Sequence, residues 1–187
     1  MGTYKYRDRK AILPRPIDPP KWRLTNSDNK FQEWWRKQGT ASIFFDGAFK
    51  GNSGLAGAGG VIYSEDGTRR DSFSRGLGLC TNNQAEILGV MKACQIARDT
   101  NIREIQVFGD SEILIKILNS EDQFSNPTLN NSLLRLRHLL LQFSSSLFYH
   151  VLGSSNKEAD AKANLGCLLP QGALSINEEE PYWSPIP

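Results

Sequence analysis

The hydrophobic period of the chain changes at Thr81, and that change limits the fold more than any other feature. Before it lie short apolar runs suited to strands: Ser42–Phe45, ending in Asp46-Gly47, then Gly57–Tyr63, then Arg69–Arg75. The second and third are joined by Glu65-Asp66-Gly67, a hairpin signal because Asp-Gly tolerates the positive φ of a tight turn. Connections this short predict an antiparallel meander. From Thr81 onward Ala85, Leu88, Met91 and Cys94 recur at helical spacing, and Thr81 with Gln84 has the spacing of a capping box. Arg103–Gly109 reads as a strand and Ser111–Leu118 as a short helix. Asn126-Pro127 punctuates before a helix over Leu129–Phe143, which carries Leu133, Leu136, Leu140 and Phe143. Leu147–Val151 follows as a strand and Asn156–Leu165 as a helix that Gly166 stops. The order β-β-β-α-β-α-α-β-α, with right-handed crossovers, predicts an α/β fold: a five-stranded mixed sheet, meander plus parallel crossovers, flanked by helices.

A chain of 187 residues suits one domain with extensions. Residues 1–40 read as an N-terminal extension or linker, 41–168 as the domain and 169–187 as an irregular tail. Pro14, Pro16, Pro19 and Pro20 prevent a continuous helix in the extension, although Asp28–Lys37 suits a short one. Its Phe31, Trp34 and Trp35 are expected to pack on the domain more than to stack on bases. Tyr182-Trp183 in the tail is a pair that could tuck back.

The formal charge of +2 does not by itself indicate a polyanionic partner. The Lys/Arg-rich stretch Lys5–Lys37 is compatible with one, and equally with a solvated linker. Cys80, Cys94 and Cys167 form no disulfide pattern and no zinc spacing, so reduced thiols are expected. The polar, charged opening and the lack of any apolar run of about 18 residues predict an intracellular protein, nuclear or cytoplasmic, with no membrane span. Nothing argues for an oligomer, and a monomer is expected.

Four acids hold matching places in the predicted elements. Asp46 and Asp110 end apolar strands; Glu86 and Asp160 lie in the first turns of helices. Strand ends and helix starts meet at one edge of an α/β sheet, where sites form. Any one Asp after a strand is more often a turn or cap residue, but four in matching positions are hard to ascribe to chance. Clustered carboxylates repel and titrate as a set, and a divalent cation relieves that repulsion. Oxygen ligands of this kind favour Mg²⁺, and a pair of ions can clamp the attacking and leaving oxygens of a phosphodiester.

At this point the chain resembles type 1 ribonuclease H. The residues that carry the resemblance are Phe45-Asp46-Gly47-Ala48 with Lys50-Gly51-Asn52-Ser53-Gly54 and Gly57-Ala58-Gly59-Gly60, then Thr81-Asn82-Asn83-Gln84-Ala85-Glu86, then Phe108-Gly109-Asp110-Ser111, then Asn156 through Asn164. The wording is similar to the plant and archaeal-like ribonuclease H domains of LINE-type retrotransposon reverse-transcriptase polyproteins, and the ending Leu169 through Pro187 resembles their C-terminus. The resemblance implies a metal-dependent endonuclease that cuts the RNA strand of RNA–DNA hybrids. It implies two Mg²⁺ ions, with Mn²⁺ as a substitute, held by Asp46, Glu86, Asp110 and Asp160. It implies contact of Asn52 and Thr81 with a DNA phosphate, and of Asn82, Asn83 and Gln84 with the minor groove. Gly47 and Ala48 are small enough for backbone to approach the RNA. The wide minor groove of a hybrid exposes 2′-hydroxyls that short amides can read, although the Asn pair suits helix capping equally well. Gly57, Gly59 and Gly60 fit close packing better than ligand contact.

Two departures bear on activity. The segment between Asp110 and Asp160 is too short for the basic helix-loop by which many relatives grip the hybrid, which leaves the N-terminal extension, Lys157 or Lys162 as sources of affinity. The loop Val151–Ser155 lacks the His or Arg that relatives place before the last acid. His150 just upstream is the candidate to assist, against a structural role; His138 reads as solvated. A non-catalytic nucleic-acid-binding module on the same fold is the main alternative, and an upstream reverse transcriptase in the same polyprotein is a possible partner. Integrases, transposases and resolvases share strand-end acids but not the Thr-Asn-Asn-Gln-Ala-Glu helix start.

Overall fold

The computed structural model describes residues 28–51 and 54–187. The elements in chain order are α1 (Asp28–Arg36), β1 (Ala41–Lys50), β2 (Leu55–Tyr63), β3 (Arg69–Leu79), α2 (Asn82–Asp99), β4 (Glu104–Gly109), α3 (Glu112–Leu118), α4 (Pro127–Leu140), β5 (Ser145–His150), α5 (Lys157–Gly166), β6 (Ala173–Ile176) and β7 (Tyr182–Trp183). The strands form a seven-stranded sheet in the order β5-β4-β1-β2-β3-β6-β7. β1, β2 and β3 make the antiparallel meander, and β4 and β5 add to β1 in parallel.

The expected sheet of five strands is therefore correct in its centre and short at one edge. The stretch read as an irregular tail supplies β6, which pairs antiparallel with β3, and β7, which pairs with β6. The side chains of Tyr182 and Trp183 stay exposed. The tail is held by backbone pairing, by Leu174 buried in the core, by the Lys162–Glu178 pair and by Arg75. The Arg75 guanidinium is buried and donates from Nη2 to the carbonyls of Ser184 and Pro185 at 3.0 and 2.7 Å.

Each sheet face has its own apolar cluster. On one side Ile43, Phe45, Ile105 and Val107 pack under α2, α3 and α4, through Ile87, Val90, Leu114, Leu133 and Leu136. The other face carries Phe44, Phe108 and Tyr149, and α1 lies on them through Phe31, Trp34 and Trp35. Trp34 meets Tyr149 edge-on at 5.3 Å, and Phe31 meets Phe108 at 5.3 Å. Those rings are used in packing, as expected. α5 shares this face and rests on glycines: a Cβ on Gly59 would stand 2.2 Å from Ala163 N, and one on Gly57 2.3 Å from Cys167 N. Helix and sheet can approach this closely only because β2 has no side chains there.

Candidate active site

Asp46 does not end its strand. β1 runs on through Gly47 to Lys50, with Asp46 opposite Gly59 of β2. What ends nearby is the parallel pairing with β4, whose last pair is Phe44 with Phe108. Beyond that point the two strands part, leaving Asp46 and Asp110 to face one another. Gly47 brings in the third acid: a Cβ there would lie 2.6 Å from the Glu86 nitrogen, so its absence lets the start of α2 settle against β1.

One carboxylate oxygen each from Asp46, Glu86 and Asp110 lies within 4.8 Å of the others. Asp46 and Glu86 are buried and Asp110 half-buried. The Gly47 N–H donates to Asp46 Oδ1 at 2.9 Å, while Glu86 Oε2 is buried with no hydrogen-bond partner. Asp160 stands at the exposed rim of this group, and its side chain adds to the upward pull on the Asp46 carboxyl. The acids predicted from sequence thus separate into a tight inner three and an outer one.

The electrostatic state of the inner acids follows from crowding. Burial, then the charges of Glu86 and Asp110, hold Asp46 far above the ordinary carboxylate range. Burial also raises Glu86, against a hydrogen bond from Asp46, and raises Asp110. Among the described residues no ion pair is formed by any of the three. A buried oxygen without a partner and three crowded carboxylates fit a hard divalent cation.

A pH dependence follows. The unfolded acids ionise near pH 4, whereas the raised folded acids hold their protons to higher pH. The contribution of these three acids to the metal-free fold is therefore fully present in acid and is lost as pH climbs through the folded values. Melting scans with chelator are expected to show Tm falling from about pH 5 to about pH 8, and Mg²⁺ is expected to raise Tm more at the higher pH. A Tm that is flat over this range with chelator would contradict the crowded site.

The substrate residues predicted from sequence divide. Thr81 Oγ1 accepts the Gln84 N–H at 3.2 Å, which closes one half of the capping box. The Gln84 side chain does not return to Thr81; its Nε2 donates to Ser132 Oγ at 3.2 Å. With Thr81 as the cap, Asn82 and Asn83 are left exposed at the helix start, beside Glu86. Ala48 is buried against Ala163 and Cys167, so its small size serves packing. Asn52 and the proline-rich N-terminal stretch lie outside the described residues. Lys157 is exposed, but Lys162 is mostly buried and paired with Glu178 at 2.6 Å, so it is not presented for binding.

His150 ends β5 opposite Gly109, and its Nε2 lies 3.1 Å from the Asp110 carbonyl. His138 is exposed, and the three cysteines are free thiols. The loop without a basic residue comes directly over Asp110: a Cβ on Gly153 would be 3.6 Å from Asp110 Oδ2. One residue given no role of its own by sequence has a place here. Asn156 is buried and donates from Nδ2 to the Phe45 carbonyl at 2.9 Å, tying the start of α5 to the residue before Asp46. Its place at the head of the fourth motif, ahead of a predicted helix, is the sequence signal available for it.

Comparison with known proteins agrees with this geometry. A family model described as reverse transcriptase-like matches residues 44–166. Ribonuclease HI of Halobacterium salinarum is 36% identical over 126 residues, 67% of this chain and 63% of that one. An Arabidopsis thaliana protein whose name carries ribonuclease H is 33% identical over 140 residues, 74% of this chain and 22% of that one. The chain thus spans less than two thirds of either relative. The crystal structure of RNase H1 from Halobacterium salinarum NRC-1 superposes with a TM-score of 0.65 at 35% identity, over 68% of this chain and 96% of that one. That of LC11-RNase H1 in complex with RNA/DNA hybrid gives 0.64 at 26% identity, over 68% and 96%. By its motif set, its inner acids and these matches, the chain belongs to the reverse transcriptase-like family and carries a ribonuclease H-like domain.

Proposed function

We propose that this protein is an endoribonuclease that hydrolyses the RNA strand of RNA–DNA hybrids with two divalent ions. The observation that carries the reading is the convergence of Asp46, Glu86 and Asp110 within 4.8 Å beside the exposed Asn82 and Asn83. Bound Mg²⁺, or Mn²⁺ in its place, would supply an acidified water and offset charge on the leaving oxygen. Asp46, Glu86 and Asp110 would hold the inner position, and Asp160 with Asp46 the outer one. Asn82, Asn83 and Gln84 would read the hybrid's minor groove, and Thr81 and Asn52 would contact a phosphate of the DNA strand. His150, beside Asp110, is the group nearest to act where the loop lacks a base. The solved RNase H1 in complex with hybrid has the same fold, which supports this choice of substrate.

We further propose that the domain serves a retrotransposon reverse transcriptase as its ribonuclease H part. The family description and the short share of the Arabidopsis relative that is matched support that context. The test is cleavage of end-labelled RNA offered as hybrid, single strand or RNA duplex, beside a DNA duplex, with Mg²⁺, Mn²⁺ or chelator. Metal-dependent cutting of the hybrid's RNA alone is expected. Hybrid binding without cutting under either metal would replace this reading with a non-catalytic binding module.

A further inference from the structure

Asp160 differs from the other acids in being exposed and outside the tight group, so something must orient it. One helical turn later on α5, Asn164 does so. Its Nδ2 donates to Asp160 Oδ1 at 3.2 Å and to the Asp160 carbonyl at 2.9 Å. Its Oδ1 accepts from Lys50 Nζ at 3.2 Å. The orientation of the amide is unambiguous, because an ammonium only donates while a carboxylate and a carbonyl only accept. Lys50 ends β1, the strand that carries Asp46 four residues earlier. A single line of contacts thus joins the strand of Asp46 to the carboxylate of the outer acid.

We propose that Asn164, held by Lys50, is a positioning residue that fixes the Asp160 carboxylate and so sets the affinity of the outer metal position. This rests on the two-ion reading above. An exposed aspartate samples several rotamers; bonds from one amide to both its carbonyl and its Oδ1 select one of them. Groups that hold metal ligands in this way typically matter about 10–100-fold in metal affinity or activity. Lys50 also places a positive charge near the site without occupying a ligand position.

The test compares Asn164→Ala, Lys50→Met and Lys50→Arg with the wild-type chain. It combines calorimetric titration with Mg²⁺ and Mn²⁺, kcat and KM on hybrid, and melting. Asn164→Ala is expected to weaken the second, weaker metal-binding step and to lower kcat by about tenfold or more. KM and Tm stay near wild type. Lys50→Met shows the same pattern more weakly, and Lys50→Arg restores it. An unchanged metal titration with unchanged kcat in Asn164→Ala would overturn the proposal. So would a rise in KM alone, which would make the pair a substrate contact. Wild-type protein that binds metal but cuts no hybrid would overturn the nuclease reading, and the calorimetric comparison would still decide this one.

Discussion

Asp110→Asn is expected to abolish cleavage, keep hybrid binding and make the metal-free protein more stable. The amide keeps the size of the acid but removes a charged ligand oxygen, so loss of kcat by at least about a thousandfold, ~4 kcal/mol of transition-state stabilisation, is the expected scale. In the proposed reading hybrid affinity would come from Asn82 and Asn83 and from backbone around Gly47, none of which the substitution alters. Stability moves the opposite way to activity because one of three mutually repelling carboxylates is gone. Relief of about 1–2 kcal/mol corresponds to roughly 2–8 °C in a domain of this size. Single-turnover cleavage, fluorescence anisotropy with labelled hybrid and melting with chelator check the three parts. Full activity in Asp110→Asn would remove Asp110 from the ligand set, and a fall in metal-free Tm would show that the three acids do not repel in the folded protein.

Removal of residues 1–40 is expected to be as damaging as loss of an acid, for a different reason. α1 covers Phe44, Phe108 and Tyr149 with Phe31, Trp34 and Trp35. Gln106, buried in β4, also donates from Nε2 to the Trp35 carbonyl at 3.2 Å. Without α1 a contiguous aromatic surface lies open, two residues before Asp46 on one strand and two before Asp110 on another. Trp34→Ala alone is expected to cost about 3–5 kcal/mol, against a total of roughly 5–15. A chain starting at Ala41 is expected to aggregate or to melt far below the full chain, by light scattering and calorimetry. A soluble truncated chain with unchanged Tm would show that α1 is dispensable. The match to RNase H1 of Halobacterium salinarum takes in 96% of that chain but 68% of this one, and the family match begins at residue 44, past α1.

The parts of this molecule that are legible in sequence are those with a period or a motif. The meander, the helix start at Thr81 and the crossovers follow from hydrophobic spacing and turn chemistry, though β1 and β3 run four or five residues further than read. The end of β1 is misread because Asp46-Gly47 looks like a turn. Its glycine is there for the approach of Glu86, a contact 39 positions away in the chain that no local pattern encodes. β6 and β7 are invisible for a related reason. Ala173–Ile176 is four residues long and Tyr182–Trp183 two, too short to show alternation, and they are strands because β3 has an edge to offer. In the site, residue types placed the acids in one neighbourhood. The division into an inner three and an outer one depends on side-chain positions, as does the commitment of Lys162 to Glu178.

The pairing of β3 with β6 has a consequence for how the chain is made. During synthesis β3 emerges about a hundred residues before its outer neighbour, so its edge stands open while that stretch is made. An unpaired edge is a template for joining another chain, and long-range pairing of this kind forms late. Arg75 has no tail carbonyls to bond in that interval, and its charge needs water until they arrive. The nascent domain is thus most prone to self-association just before residue 173 appears; β6 then closes that window, and the two-residue β7 covers the new edge with a strand too short to extend the sheet further.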